Sequence, residues 1–274
     1  MGINIIMITL NMIGGGFQHD VCSSTNNVPK HVIWDKTTHS APISVHIDDG
    51  IFNIPVDKSK LNIAWFSESP YFVRPLEQYL DAPYWRDYAS ENFKYIFTSD
   101  KDFTKTHPQV KYILPLACPW VKSRQMFPKS KTVSIIASWK KTAPGHKFRH
   151  IVIDMYKGYL DAYGQEYVPT IPDKSIALND YMFSITIENT QANGYFTEKI
   201  ADCFATGTIP IYWGDETISD YFLEEGIIRL NSNFDILSLT KDLYLSKLPA
   251  VRENLDRIIK FPCAEDYIYL TYLR

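Results

Sequence analysis

The chain has 274 residues, 45% of them apolar and 14% aromatic, with a formal net charge of −3. That length suits about two domains, and the apolar content supports large cores and excludes an intrinsically disordered chain. The slight negative balance excludes a general nucleic-acid binder, whose phosphate partner demands a basic surface.

The opening MGINIIMITLNMIGGGF is apolar but too short for a spanning helix, and it lacks a basic leader and a small-residue cleavage site. It reads as a core strand over 3–10 entering the loop Gly14-Gly15-Gly16. Three glycines let a ligand approach the backbone, but their spacing is not the dinucleotide fingerprint. No later stretch is apolar enough to cross a bilayer, so a soluble, cytoplasmic protein without a transmembrane segment is expected.

Residues 61–70 repeat the pattern, a strand through Trp65 and Phe66 ended by Ser67, Glu68, Ser69 and Pro70. A helix or helix pair is expected over 74–89, a strand over 93–99, a charged turn, and a strand over 110–120. Strands alternating with helices predict a parallel, doubly wound sheet. The polar, proline-bearing FPKSK (127–131) marks the boundary between domains 1–128 and 129–274.

The second half starts again with a strand over 132–138, a basic loop, and a helix over 148–164. A strand over 181–188, a helix over 196–207, a strand over 208–214 and two terminal helices (238–248 and 250–274) follow. The expected architecture is α/β, two Rossmann-like domains facing a central cleft. The four cysteines, Cys22, Cys118, Cys203 and Cys263, are scattered and form no CxxC pair. Free, mostly buried thiols in a reducing compartment are expected, and zinc binding is not.

Between strand and helix lies TIENTQANGYFTEKIADCFATGTIPIYWGD (186–215). Ser184, Thr186 and Glu188 alternate with Phe183, Ile185 and Ile187, and the strand ends at Glu188-Asn189. Thr197 is placed to cap the next helix, whose free N–H groups favour an anion. Lys199 in the first turn opposes the helix dipole unless an anion offsets it. By position alone, a sugar diphosphate site and an internal Glu198–Lys199 pair on a solvated helix start fit equally well. The loop SWKKTAPGHKFRH (138–150) also follows a strand, and gathers Lys140, Lys141, His146, Lys147, Arg149 and His150 around Pro144-Gly145. In a parallel sheet both loops open on one edge, and two cationic loops there make a diphosphate site.

Asp100-Lys101-Asp102 mimics a metal-binding DxD pair, although a solvated turn is the stronger reading. The histidines show no metal-ligand spacing; His146 and His150 could touch phosphate, although solvated positions are the stronger reading. Most aromatics belong in cores; Trp85 with Tyr84 is the best candidate for a sugar platform.

Residues 183–214 resemble the signature of glycosyltransferase family 10, the α1,3/α1,4-fucosyltransferases. The resemblance is carried by Phe183, Glu188, Asn189, Tyr195, Thr197, Glu198 and Lys199, then Gly207, Thr208, Pro210 and Gly214. Ser138, Arg149 and Tyr163-Gly164 also fall where that family has its Ser, Arg and Tyr-Gly, and Glu68-Ser69-Pro70 resembles its short acidic motif. The likeness is clear over about 132–215.

It implies a GT-B fold with an N-terminal acceptor domain and a C-terminal GDP-fucose domain. Arg149 and Lys199 would bind the pyrophosphate, and Asn189, Tyr195 and Glu198 would line nucleotide and fucose. Ser138, Lys140, Glu188 and Thr197 complete the expected donor-binding set. Glu68 would be the catalytic base of an inverting transfer to a saccharide hydroxyl, with Glu77, Asp48 and Asp49 as fallbacks. No cofactor is obligatory and no divalent metal is expected, because Lys and Arg supply the charge. The chain is short for the family and shows no transmembrane stem, as suits a bacterial or viral member. A different nucleotide sugar, or binding of nucleotide or carbohydrate without turnover, are the alternatives.

Overall fold

The computed structural model describes residues 7–17, 19, 21–77, 81–105, 108–113, 118–167 and 171–274. They form two compact units, one of Met1–Leu116, Ala192–Tyr195 and Pro262–Arg274, the other of Ala117–Gln191 and Phe196–Phe261.

Unit 1 holds β1 (Ile8–Ile13), β2 (Val32–Asp35), β3 (Ile43–Ile47), α1 (Gly50–Asn53), β4 (Leu61–Trp65), α2 (Pro70–Glu77), α3 (Pro83–Asn92), β5 (Tyr95–Thr98) and β6 (Val110–Tyr112). The strands pair in parallel in the order β2-β1-β3-β4-β5-β6. Strands covered on both faces read as continuous apolar runs. Accordingly Ile63, Trp65 and Phe97 enter one core cluster, while Ala64, Phe66 and Ile96 enter another. The expected helix pair is present, with Pro83 opening α3 where its missing N–H costs nothing.

Strand β1 lies further along than the expected 3–10, of which 3–6 fall outside the described residues. It runs through Asn11, whose buried amide donates to Ala41 O and Ser44 Oγ (2.9 Å each) and accepts from Ala41 N (2.9 Å). A polar residue with all its partners sits in a core strand without the penalty that its composition suggests. Of the expected strand at 110–120, Val110–Tyr112 is strand, and residues 114–117 lie outside the described set.

Unit 2 holds β7 (Lys131–Ile136), α4 (Pro144–Met155), β8 (Asp161–Tyr163), β9 (Tyr181–Ile187), α5 (Glu198–Ala205), β10 (Ile209–Trp213), β11 (Ile228–Arg229) and α6 (Lys241–Ile258). All its pairings are parallel, in the order β11-β10-β9-β7-β8. The helix expected over 148–164 stops at Met155, and Asp161–Tyr163 instead forms an edge strand on β7. Gly158 at φ +89° lets the chain turn between them. Gly164 lies so close to β7 that a Cβ would sit 1.8 Å from Ala137 O.

The two expected terminal helices are divided differently. Helix α6 runs unbroken through Pro249, and the chain then enters the short α7 (Ala264–Ile268) and a π turn. That tail belongs to unit 1, where Ala264, Ile268 and Tyr269 pack with Leu10, Val32 and Trp65.

In both sheets the first strand has the second on one side and the third on the other. Chain crossovers therefore leave in opposite directions at β1/β3 and at β7/β9. A crevice opens beyond the carboxyl ends at such a switch point.

Candidate active site

At the β7/β9 switch point of unit 2 lies an open cavity of about 350 Å³. Ser138 and Lys140 line it from the loop after β7, His146 and Arg149 from α4, Asn189 from beyond β9, and Glu198 and Lys199 from α5. The starts of both helices meet the end of β9 there. Gly145 donates its N–H to Asn189 O at 2.9 Å, and a Cβ on it would fall 1.8 Å from Glu188 O. Only glycine allows α4 to begin so near β9.

Arg149 is buried and anchored. Its Nε and Nη2 donate to Ile187 O (3.0 and 2.5 Å), and Nη2 also donates to Asn189 Oδ1 (3.0 Å). His146 is buried rather than solvated, because its Nδ1 accepts from Ala143 N (3.2 Å) at the first turn of α4 and lies 3.1 Å from Thr142 Oγ1. Burial, then Arg149 and Lys140, lower its pKa to about 4, so the ring is neutral at pH 7 with its proton on Nε2. His150 is half-buried, its Nδ1 against Tyr167 Oη.

The lowered His146 pKa sets a pH dependence. Below its ordinary value of 6.5 the unfolded chain takes up a proton that the folded chain refuses down to about 4. Stability is therefore expected to fall as pH drops through that window. Urea unfolding at pH 7 and pH 5 measures it, and His146→Gln, which keeps an acceptor but does not titrate, should shrink the difference. An unchanged difference would assign the loss to other groups.

Behind the cavity wall, the Glu188 carboxylate is fully buried. It accepts from Thr197 N (2.9 Å), Thr197 Oγ1 (2.8 Å) and Lys199 Nζ (3.2 Å). Thr197 caps α5, as its sequence position implied, and its Oγ1 also takes a hydrogen bond from Lys199 Nζ (2.7 Å). Glu198 Oε1 lies 3.8 Å from Lys199 Nζ and 2.8 Å from Lys174 Nζ. Lys174 also reaches Asp202 Oδ2 (3.0 Å) and sits 4.4 Å from the centre of the Trp120 ring. Asp202 Oδ1 in turn accepts from Trp120 N (2.6 Å) and Val121 N (3.0 Å).

Burial alone would raise the Glu198 pKa, but Lys174 and then Lys199 outweigh it and bring it down to about 2. Burial likewise opposes the charge on Lys174, and Glu198 and Asp202 push its pKa up in spite of it. The result is a chain of alternating charges along one wall. Lys174 and Asp202 escaped the sequence reading. Asp202 was traceable, being four residues from Glu198 and so on the same helix face. Lys174 lies in a 3-10 turn with no local signal.

In unit 1, the β1/β3 switch point brings Gly14 against Gly50, where a Cβ on either would meet the other's Cα at 2.8–2.9 Å. Asp48, at φ +50°, accepts from Ser67 N (2.8 Å), Ser67 Oγ (2.7 Å) and Glu68 N (3.4 Å). It thereby holds the turn that carries Glu68, whose own side chain is exposed. Burial raises the Asp48 pKa, against the opposing bonds from Ser67. Asp49 is exposed ahead of α1, and the Glu77 side chain lies outside the described residues. Asp100, in the DxD-like turn, is buried and accepts from Asp102 N (2.9 Å) and Phe103 N (3.3 Å), while Asp102 pairs with Lys105 (2.8 Å). Tyr84 is exposed and stands edge-on to Trp85 at 5.1 Å, which in turn meets Phe52 at 5.2 Å.

Residues 127–253 match the family model described as glycosyltransferase family 10 (fucosyltransferase) C-term. Over these residues the chain carries a glycosyltransferase family 10 C-terminal domain. Among curated members it is similar to the α-(1,3)-fucosyltransferase FucT of Helicobacter pylori, 39% identical over 67 residues, which are 24% of this chain and 14% of that protein. It is similar also to α-(1,3)-fucosyltransferase B of Drosophila melanogaster, 30% identical over 114 residues, 36% of this chain and 26% of that one. The aligned segments thus take in well under two thirds of these relatives. Crystal structures of α1,3-fucosyltransferase with GDP-fucose and with GDP share the fold. Their TM-scores are 0.55 and 0.53 at 13% identity, covering 93% and 92% of this chain and 84% and 83% of those. The architecture is therefore α/β and GT-B-like, with two Rossmann-like units.

Within the family 10 domain, the cavity gathers Ser138, Lys140, Arg149, Asn189, Glu198 and Lys199 of the residues expected at a donor site. Glu188 and Thr197 stand behind Lys199 and fix it. Tyr195 is buried, groups with unit 1 in the segment Ala192–Tyr195, and does not line the cavity. Among the described residues no helix is long and apolar enough to cross a membrane.

Proposed function

We propose that this chain transfers L-fucose from GDP-fucose to a hydroxyl of a saccharide, with inversion at the anomeric carbon. The observation that carries the reading is the placement of Arg149 and Lys199, with two helix starts, around one cavity of a family 10 domain. Helix N-termini and anchored cations suit a diphosphate. The acceptor oxygen attacks C1 of fucose as the bond from C1 to the β-phosphate oxygen breaks. GDP leaves with the electron pair, and Lys199 and Arg149 stabilise its growing charge. The acceptor proton passes to a base, a role assigned to Glu68 by its family-like ESP motif. Asn189, Glu198 and Ser138 are the groups that would orient ribose and fucose. On α3, exposed Tyr84 and half-buried Trp85 are proposed as an apolar platform for the acceptor sugar.

Calorimetric titration with GDP and GDP-fucose in a chelating buffer tests the reading. Binding is expected without added metal. Loss of all binding in chelator would instead favour a metal held by Asp100 and Asp102. UDP- and CMP-sugars should give smaller thermal shifts than GDP-fucose at equal concentration. A larger shift with one of them would change the donor and leave the rest of the reading intact.

Lys199→Ala and Arg149→Ala are each expected to weaken GDP binding by roughly tenfold to a hundredfold, the effect of one charge-assisted hydrogen bond at about 1.5–3 kcal/mol. Thermal unfolding identifies variants that remain folded. Unchanged affinity in folded protein would place both residues outside the donor site. Donor binding with no transfer to any saccharide would favour a binding protein.

A further inference from the structure

Far apart in sequence, Cys22 and Cys263 meet in unit 1 together with Glu265 of α7. One ligand atom from each lies within 4.8 Å of the other two, and all three residues are buried. The Cys22 thiol donates to Glu265 Oε2 at 3.4 Å. Among the described residues, the other partners of the carboxylate are Ser23 N (2.5 Å), Ser23 Oγ (3.0 Å) and Trp34 Nε1 (3.2 Å), all of them neutral. An ionised carboxylate buried without a cation is costly.

Two more observations mark the spot as more than a packed thiol pair. The Ser24 amide donates to Cys22 Sγ at 3.4 Å, so a backbone N–H already faces the sulfur. The Ser24 hydroxyl is buried and has no hydrogen-bond partner among the described residues, so it is left to bond a solvent molecule or other guest.

We propose that Cys22, Cys263 and Glu265 form a binding site for one thiophilic divalent cation of the zinc class. Two sulfurs at 2.3 Å from a tetrahedral zinc are about 3.8 Å apart, within the span of this cluster. Binding is an exchange in which two S–H bonds break, two metal–sulfur bonds form, and two protons leave. The buried net charge is the same before and after. Three protein ligands leave a fourth position for water. The ion ties residues 22–34 to the tail helix, a join that Asp266 already reinforces by accepting from Lys30 N (2.9 Å) and His31 N (2.9 Å). The role is structural and independent of sugar transfer. The wide spacing that argued against zinc in the sequence is closed by the fold.

Titration of metal-free, reduced full-length protein with Co²⁺ tests the site. Expected are one equivalent bound, thiolate-to-cobalt charge-transfer absorption, two protons released per ion, and displacement by Zn²⁺. Cys22→Ser and Cys263→Ser should each abolish the absorption, while Cys118→Ser, not one of the three grouped residues, should keep it. Should the first two variants fail to fold, the parent protein still decides. Metal analysis after purification without chelator, and a rise in Tm with stoichiometric Zn²⁺, are then expected. Absence of thiolate-to-cobalt absorption in folded, reduced parent protein overturns the proposal. So does a Cys22–Cys263 disulfide in the protein as isolated from cells.

Discussion

Glu68→Gln is expected to bind GDP-fucose as the parent does and to transfer fucose roughly 10²–10⁴-fold more slowly, the usual contribution of a general base. The amide keeps the side chain's size but cannot take the acceptor's proton. Glu68 lies in unit 1, whereas the cavity assigned to the donor is lined by unit 2 residues, so the two readouts separate. Isothermal titration gives the affinity, and released GDP gives the rate. Near-normal turnover would end the assignment and turn attention to Glu77, Asp48 and Asp49. Among these, Asp48 is the least suited to act directly, because both its oxygens already accept from the Ser67 and Glu68 turn. Asp48→Asn should therefore lower kcat by disordering that turn, with a smaller effect than Glu68→Gln. Loss of donor binding in Glu68→Gln would point to a folding role.

The second large effect is expected at Lys174. Its removal as Lys174→Ala leaves Glu198 and Asp202 facing one another without their shared cation. Breaking a buried pair by deleting one partner costs about 3–5 kcal/mol. In a domain of this size that lowers Tm by roughly 6–20 °C. The deficit should narrow in acid. Deprived of Lys174, the carboxylates hold their protons more tightly when folded than when unfolded, so lowering the pH favours the folded variant. Chemical denaturation of parent and variant at pH 7.5 and pH 5 gives both numbers. A deficit below about 1 kcal/mol would mean that solvent screens the network as it does a surface pair.

Much of this site is legible in the amino-acid sequence because its chemistry sits at element ends. The alternation from Phe183 to Glu188 announces β9, and Thr197 before Glu198 and Lys199 announces the start of α5. Local capping and periodicity carry such information. Tertiary partners do not. Lys199 reads as a cation awaiting a ligand, yet it already rests on Glu188 and Thr197, a contact spanning eleven residues. Arg149 likewise grips the carbonyl of Ile187. Asp161–Tyr163 resembles a helix end because an edge strand of three residues is too short to show a period of two. Asn11 looks like a strand terminus because its partners, Ala41 and Ser44, lie about thirty residues away. Lys174, Cys22 and Cys263 give no sign of their roles, since each acts only through residues brought to it by the fold.

The return of the tail to unit 1 governs the order of events during synthesis. Leu10, Val32, Trp65 and Phe97 wait for Ala264, Ile268 and Tyr269 to cover them. Nearly all of unit 2 is made in between. At about 5–20 residues per second, the interval from residue 116 to residue 262 lasts roughly 7–30 s. Throughout it a parallel sheet shows an apolar face to the cell, the condition under which chaperones are recruited and aggregation competes. A ribosome that stopped after Phe261 would release a chain with unit 2 fully specified and that face permanently bare.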